Sequence, residues 1–346
     1  MPERPTRRCL VLGGAGFIGS HLVERRIAAG DHVTVIDSFE YCYSDNLEAL
    51  DGHPHLEVLR ADVSEPGWSV PGDFDDLYHL AGVVATGEFM RRPVAALWTS
   101  LRPMEALLRY RRDRNRKARL LFASSSEVYG DAQVHPQPEG YRGHVSCTGP
   151  RSGYDEGKRA TESLITGWAR EHDEPCAAAV VRLFNTYGPR MTANGRLVPS
   201  MVVDALQSGE ITVNRPGTQT RTLLDVRDAL VAIERALERQ HPVPINIGGF
   251  ETMPVRETAE RIAAAVLDIT GREVRLTDGP EIPDEVLRRR PDLARAKELL
   301  DWAPSTPFSA GVREVIRYWQ GRTEPAREED AEESLPIPSG GERPQA

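Results

Sequence analysis

Short apolar runs at positions 9–12, 32–36, 56–59, 77–80 and 120–123 punctuate the N-terminal part of the chain. Each is only four or five residues long and apolar almost throughout, the pattern of a strand buried on both faces. Between them, as at 17–29 and 94–110, apolar positions return every three or four residues and predict helices. Alternating strands and helices predict an α/β fold with a parallel sheet covered on both faces. A further run at 177–183 extends that sheet after the helix that carries Tyr154. Beyond Gly188 the elements shorten, and proline and glycine become frequent. Helices are expected there at 197–207, 225–238, 255–268 and 291–300. This half reads as a smaller lobe closing over the carboxyl ends of the strands, with some late strands rejoining the first sheet.

The expected organisation is therefore a doubly wound domain over 1–188, a second lobe over 189–322 and an acidic tail over 323–346. The tail consists largely of Pro, Glu, Gly and Ser, with too little apolar surface to offset the entropy of ordering, and is expected to be disordered. The formal net charge of -9 argues against a nucleic-acid or anionic-membrane surface as partner. No apolar run approaches the ~18 residues of a membrane span, and no signal-peptide pattern opens the sequence. Cys9, Cys42, Cys147 and Cys176 lack C-x-x-C spacing, so neither a zinc site nor a disulfide framework is expected, and a cytoplasmic setting is.

Two motifs carry chemistry. Gly13-Gly14-Ala15-Gly16-Phe17-Ile18-Gly19 follows a strand and opens a helix. Glycines there permit a tight turn and let backbone N–H groups approach a pyrophosphate at the positive helix end. Asp37 ends the second predicted strand, where a carboxylate holds ribose hydroxyls; the neighbouring Ser38, Phe39 and Glu40 offer no cation for a 2′-phosphate, which favours NAD over NADP. Asp62, after the third strand and followed by Val63, is placed to contact adenine. The second motif is Tyr154 and Lys158, four apart and so on one helix face, downstream of Ser124-Ser125-Ser126-Glu127. An ammonium beside a phenol is expected to draw its pKa down from about 10, and a serine hydroxyl can bond the same alcohol oxygen. Such a trio removes a proton from an alcohol while a hydride leaves its carbon.

Together these elements resemble the extended short-chain dehydrogenase/reductase superfamily of nucleotide-sugar epimerases, dehydratases and decarboxylases, from about Arg8 to Tyr318. Ser126-Glu127-Val128-Tyr129-Gly130, Gly149-Pro150-Arg151, Tyr154-Asp155-Glu156-Gly157-Lys158-Arg159, the run from Arg182 to Met191, Gln219-Thr220-Arg221 and Arg289-Arg290-Pro291-Asp292 look most like UDP-glucuronate decarboxylases. The resemblance implies a Rossmann-type nucleotide-binding domain, NAD as a recycled cofactor and a UDP-sugar substrate. It implies Ser125, Tyr154 and Lys158 as the oxidation trio, with Glu127 beside the sugar carboxylate and Arg289 approaching from the second lobe. It further implies that Asn185 and Arg190 contact the substrate, that Arg221 pairs with the diphosphate, and that Leu197, Val198 and Pro199 line the uracil pocket. A homodimer joined through the helices around Val94 and Tyr154 is implied as well.

Several stretches depart from that pattern. Phe39-Glu40-Tyr41-Cys42-Tyr43 stands where such decarboxylases carry Thr-Gly-Arg or Thr-Gly-Lys. Gly82 to Phe89 replaces a Ser-Pro-rich segment with a tyrosine, and Asp225 replaces an aromatic. A C4 epimerase uses the same trio and the same 4-keto intermediate, and is the competing reading; Glu127 and the Arg-x-Pro-Asp pattern speak for decarboxylation. Ser126, where a 4,6-dehydratase carries an aspartate, speaks against dehydration. The intact trio speaks against a catalytically idle NAD-binding regulator.

Overall fold

The computed structural model describes residues 5–281 and 286–322; the expected disordered tail, 323–346, lies outside the described residues. Its centre is a parallel sheet of seven strands. Strands β1 (Arg8–Leu12), β2 (His32–Asp37), β3 (Leu56–Arg60), β4 (Asp76–His79), β5 (Arg119–Ser125) and β6 (Ala179–Leu183) come from the chain before Gly188. The spatial order is Ile245–Ile247, β6, β5, β4, β1, β2, β3, so the winding reverses between β1 and β4. In an open parallel sheet, that reversal leaves a crevice at the strands' carboxyl ends for a ligand.

Alternation along β1 decides which core each side chain joins. Cys9 and Val11 pack with Leu22, Val35 and Ile233 on one face. Leu10 and Leu12 pack with Leu77, Leu107 and Phe122 on the other. Helix α1 (Phe17–Ala28) covers the first face; α3 (Pro93–Asp113) and α4 (Ser152–Glu171) lie together on the second, with the short α2 (Thr86–Arg91) at the rim. Among the described residues no helix is long and apolar enough to cross a membrane.

The second lobe has its own core. Helices Leu197–Gln207, Val255–Thr270 and Phe308–Trp319 bury Val202, Ile262, Val315 and Ile316 together. Beside them Glu210–Arg215 pairs in parallel with Arg275–Glu281, and Thr220–Thr222 lies between Thr252–Pro254 and Arg288–Arg289. Between these elements the chain re-enters the large sheet, where Ile245–Ile247 pairs with β6. One sequence expectation shifts. The helix expected from 291 begins at Ala294, because Pro291 bridges to Gln137 and the Asp292 carboxylate accepts the Ala294 N–H at 2.9 Å. Residues committed to that bridge and turn cannot take helical geometry, and Leu293 becomes the N-cap without a side-chain bond.

Candidate active site

At the sheet's reversal point a cavity of about 1610 Å³ runs between the two lobes. Its floor is the glycine turn. Gly13 has φ of +79°, and a Cβ there would meet the Ala81 nitrogen at 2.6 Å, so the backbone of β1 and the end of β4 approach as only glycine permits. Gly16 caps α1 without any side-chain bond, leaving the first amides of the helix for a ligand. Asp37 accepts the Ala15 and Phe39 N–H groups at 3.0 and 2.9 Å, which fixes its carboxylate at the cavity wall. Burial raises its pKa, against those backbone bonds. Gly13, Gly16, Phe17, Ile18, Gly19, Asp62 and Val63 line the same end. Asp62 accepts from Ser64 through both N–H and Oγ, at 2.8 and 2.7 Å. These residues fit a dinucleotide: a crowded turn with no side chain, free helix amides and one oriented carboxylate.

Deeper in the cavity, β5 ends at Ser125, whose Oγ accepts the Glu127 N–H at 3.2 Å and caps the 3-10 turn Ser126–Tyr129. The Ser125 hydroxyl also acts on the Tyr154 phenol, favouring its ionised form. One turn along α4, Lys158 is 3% exposed and donates to the Ala123 carbonyl at 2.9 Å. Ser125, Tyr154 and Lys158 are thus brought together. The expected electrostatics differ, however. Burial pushes the Tyr154 phenol up to about 12, against the influence of the Ser125 hydroxyl, and pushes the Lys158 ammonium down to about 8. The ammonium lies 5.7 Å from the phenol ring and gives one of its three N–H bonds to a carbonyl, and desolvation of both groups outweighs the attraction that the spacing implies.

Glu127 is the electrostatic centre of the site. Arg289, from the strand Arg288–Arg289 of the second lobe, grips it with both Nη atoms, Nη2 donating to Oε2 at 2.9 Å. Arg151 Nη2 lies 2.8 Å from the same Oε2. Burial opposes the charge of Glu127, but the two guanidinium groups prevail and lower its pKa to about 2. Behind it Asp155, within 4.0 Å of Arg151, is driven up to about 7 by burial and by the charge of Glu127.

Of the residues expected to hold substrate, Asn185, Leu197, Val198 and Arg221 line the cavity. Arg221 is buried, and its Nη1 donates to the Thr220 and Val286 carbonyls at 3.0 and 2.8 Å. Arg190 also borders the cavity, but its Nη2 is engaged by Glu24 of α1. That pairing fastens the loop after β6 to the first domain and leaves Nη1 without a hydrogen-bond partner.

Three cavity residues had no role in the sequence reading. Arg151 sat in a recognised Gly-Pro-Arg motif, so its place was marked although its partner was not. Arg196 stands just before the helix Leu197–Gln207; it interacts electrostatically with Tyr154 and Glu127, and its buried Nε has no hydrogen-bond partner. Phe89, in a stretch that looked divergent, stacks on Tyr154. Neither carried a local signal.

A parallel sheet with a glycine-lined crevice, opening onto a Ser/Tyr/Lys cluster, defines a dinucleotide-dependent enzyme that works on an alcohol carbon. Residues 9–248 match the model of the NAD dependent epimerase/dehydratase family. The chain is 37% identical over 325 residues to UDP-glucuronic acid decarboxylase 1 of Danio rerio, covering 94% of this chain and 75% of that protein. It is 37% identical over 311 residues to UDP-glucuronic acid decarboxylase 3 of Arabidopsis thaliana, covering 89% and 88%. Among solved structures it resembles the UDP-glucose 4-epimerase of Thermotoga maritima with a TM-score of 0.78 and 24% identity over 91% of this chain and 99% of that one. The dTDP-glucose 4,6-dehydratase of Streptomyces venezuelae matches with a TM-score of 0.78 and 22% identity over 91% and 97%. At these identities the two structures speak for the fold alone. The protein belongs to the NAD dependent epimerase/dehydratase family.

Proposed function

We propose that this protein is an NAD-dependent UDP-glucuronate decarboxylase that forms UDP-xylose through a UDP-4-keto intermediate. The observation that carries the reading is the pair of arginines, Arg289 and Arg151, gathered around one carboxylate in the cavity that also holds Ser125, Tyr154 and Lys158. A uronate requires such cationic ligands, whereas a neutral hexose does not. The relatives named as UDP-glucuronic acid decarboxylases support the same substrate.

Bound NAD would rest on the glycine turn and Asp37 and supply the acceptor for the C4 hydride, which it later returns. Tyr154, as phenolate, takes the proton from the C4 hydroxyl, and Ser125 holds the oxygen. The resulting ketone is β to the C5 carboxylate, so the C5–carboxylate bond can break with its electron pair entering an enolate. Ser125 and Tyr154 stabilise that oxyanion by hydrogen bonds. Arg289 secures the carboxylate, and Glu127 serves the carbon dioxide and C5-protonation step. Since Glu127 is itself held ionised by the arginines, it acts by orienting them and a water rather than as a stored acid. Arg221, Asn185, Leu197 and Val198 bind the UDP portion. The exposed Val94 and Trp98 on α3 favour a homodimer, and the free cysteines suit a cytoplasmic setting.

The test is incubation with NAD and UDP-glucuronate, followed by mass and sugar-configuration analysis. Carbon dioxide and UDP-xylose are expected. UDP-galacturonate without carbon dioxide would replace this reading by a 4-epimerase.

A further inference from the structure

Phe89 lies on α2, a helix of six residues at the rim of the cavity, yet its side chain is only 2% exposed. So short a helix has little stability of its own and keeps its place by what it packs against. Here the Phe89 ring lies flat on the Tyr154 ring, with centroids 4.8 Å apart and planes inclined by 15°. On the same aromatic ring the Arg151 guanidinium carbon sits 5.1 Å from the centroid. Val83, Ala96 and Tyr41 complete the apolar cluster around Phe89 and Tyr154. One phenyl ring therefore touches both halves of the site, the phenol that exchanges protons and the guanidinium that holds Glu127.

We propose that Phe89 is a positioning residue for the reaction, fixing the plane of the Tyr154 ring and keeping water from it while packing Arg151 toward the carboxylate end of the site. The physical case rests on two demands. Proton transfer needs the phenol oxygen held to a fraction of an ångström, and about 1 Å of misplacement costs on the order of 100-fold in rate. Tyr154 is anchored by its backbone in α4, and a contact on the ring face is what stops the ring from rotating about that anchor. A flat stack supplies that contact, and its other neighbour, Arg151, is attracted to the ring by the cation–π interaction. Because Tyr41 belongs to the loop after β2, the same cluster also ties the nucleotide end of the cavity to the sugar end.

This inference rests on reading Tyr154 as the acid/base residue, and the experiment separates the two. The holoenzyme is assayed with UDP-glucuronate across pH as wild type, Tyr154→Phe, Phe89→Ala, Phe89→Leu and Phe89→Tyr, with rates expressed per NAD-loaded folded protein. Phe89→Ala should lower kcat by about tenfold or more with KM changed by less than about threefold. It should also move the acid limb of the kcat profile to lower pH, since water reaching the phenol eases its ionisation. Phe89→Leu keeps volume without a flat face and should show the same displacement in smaller measure, and it carries the test where Phe89→Ala does not fold. Phe89→Tyr restores the stack and should return kcat to within about threefold of wild type. A purely structural side chain would lower the melting temperature and leave kcat per folded molecule and the pH limb in place. That outcome, with Tyr154→Phe inactive, overturns the positioning role alone; an active Tyr154→Phe overturns the site on which it rests.

Discussion

Replacing Glu127 by glutamine probes the electrostatic knot that joins the two lobes. The carboxylate is held at about 2 instead of its usual 4.5, with its side chain 12% exposed. At about 1.4 kcal/mol per pKa unit, that depression corresponds to about 3 kcal/mol of native-state stabilisation. Glutamine keeps an acceptor oxygen but removes the charge, so two guanidinium groups lose their compensation in a partly desolvated place. The loss should approach the same ~3 kcal/mol, within the range known for breaking one side of a buried pair. For a chain of 346 residues, at about 2.1 cal/mol/K of unfolding entropy per residue, it corresponds to a fall in melting temperature of about 4 °C. The sign with pH follows from the depressed value: the stabilisation is complete above pH 4.5 and disappears as pH falls toward 2. Urea unfolding of wild type and Glu127→Gln at pH 7 and at successively lower pH, without substrate, should therefore show a gap that narrows below about pH 4.5. In turnover assays the same variant should slow carbon dioxide release far more than it weakens UDP binding. Equal urea midpoints at pH 7 would refute the electrostatic argument, and unchanged carbon dioxide release would refute the chemical one.

Three further outcomes are expected. Tyr154→Phe should lower turnover by about 10²–10⁴-fold while NAD and UDP binding, followed by calorimetry, stay near wild type. Burial holds the Lys158 ammonium down at about 8 and the Tyr154 phenol up at about 12, so the reactive phenolate becomes more populated as pH rises, and a nearby ammonium favours it. Thus kcat/KM should rise as pH approaches 8 and the limb should move upward in Lys158→Met; a profile flat from pH 6 to pH 8 would contradict this. The folded protein is not lost there, since Lys158, lowered from 10.5 to about 8, is protonated in both states below about pH 8 and makes stability rise with pH only between about 8 and 10.5. Gly19→Ala would press a Cβ against the Gly13 carbonyl oxygen and should abolish NAD binding, measured by fluorescence titration, with a lowered melting temperature; retained affinity would exclude the glycine turn as the dinucleotide seat.

Local rules decided much of this protein before it folded. Four-residue apolar runs specified strands because a buried parallel strand needs both faces apolar, and the glycine turn declared itself because so few residues tolerate that backbone. Tyr154 and Lys158 were legible as a pair because a helix places residues four apart on one face. What the tertiary structure decided is everything that depends on distance along the chain. Glu127 and Arg289 are 162 residues apart, and nothing in either segment names the other. Phe89 meets Tyr154 only because α2 settles against α4. The state of charge, too, was settled by folding. Spacing predicted a lowered phenol pKa, whereas burial raised it, because removing a group from water acts on every charge in the site while sequence spacing reports only one neighbour.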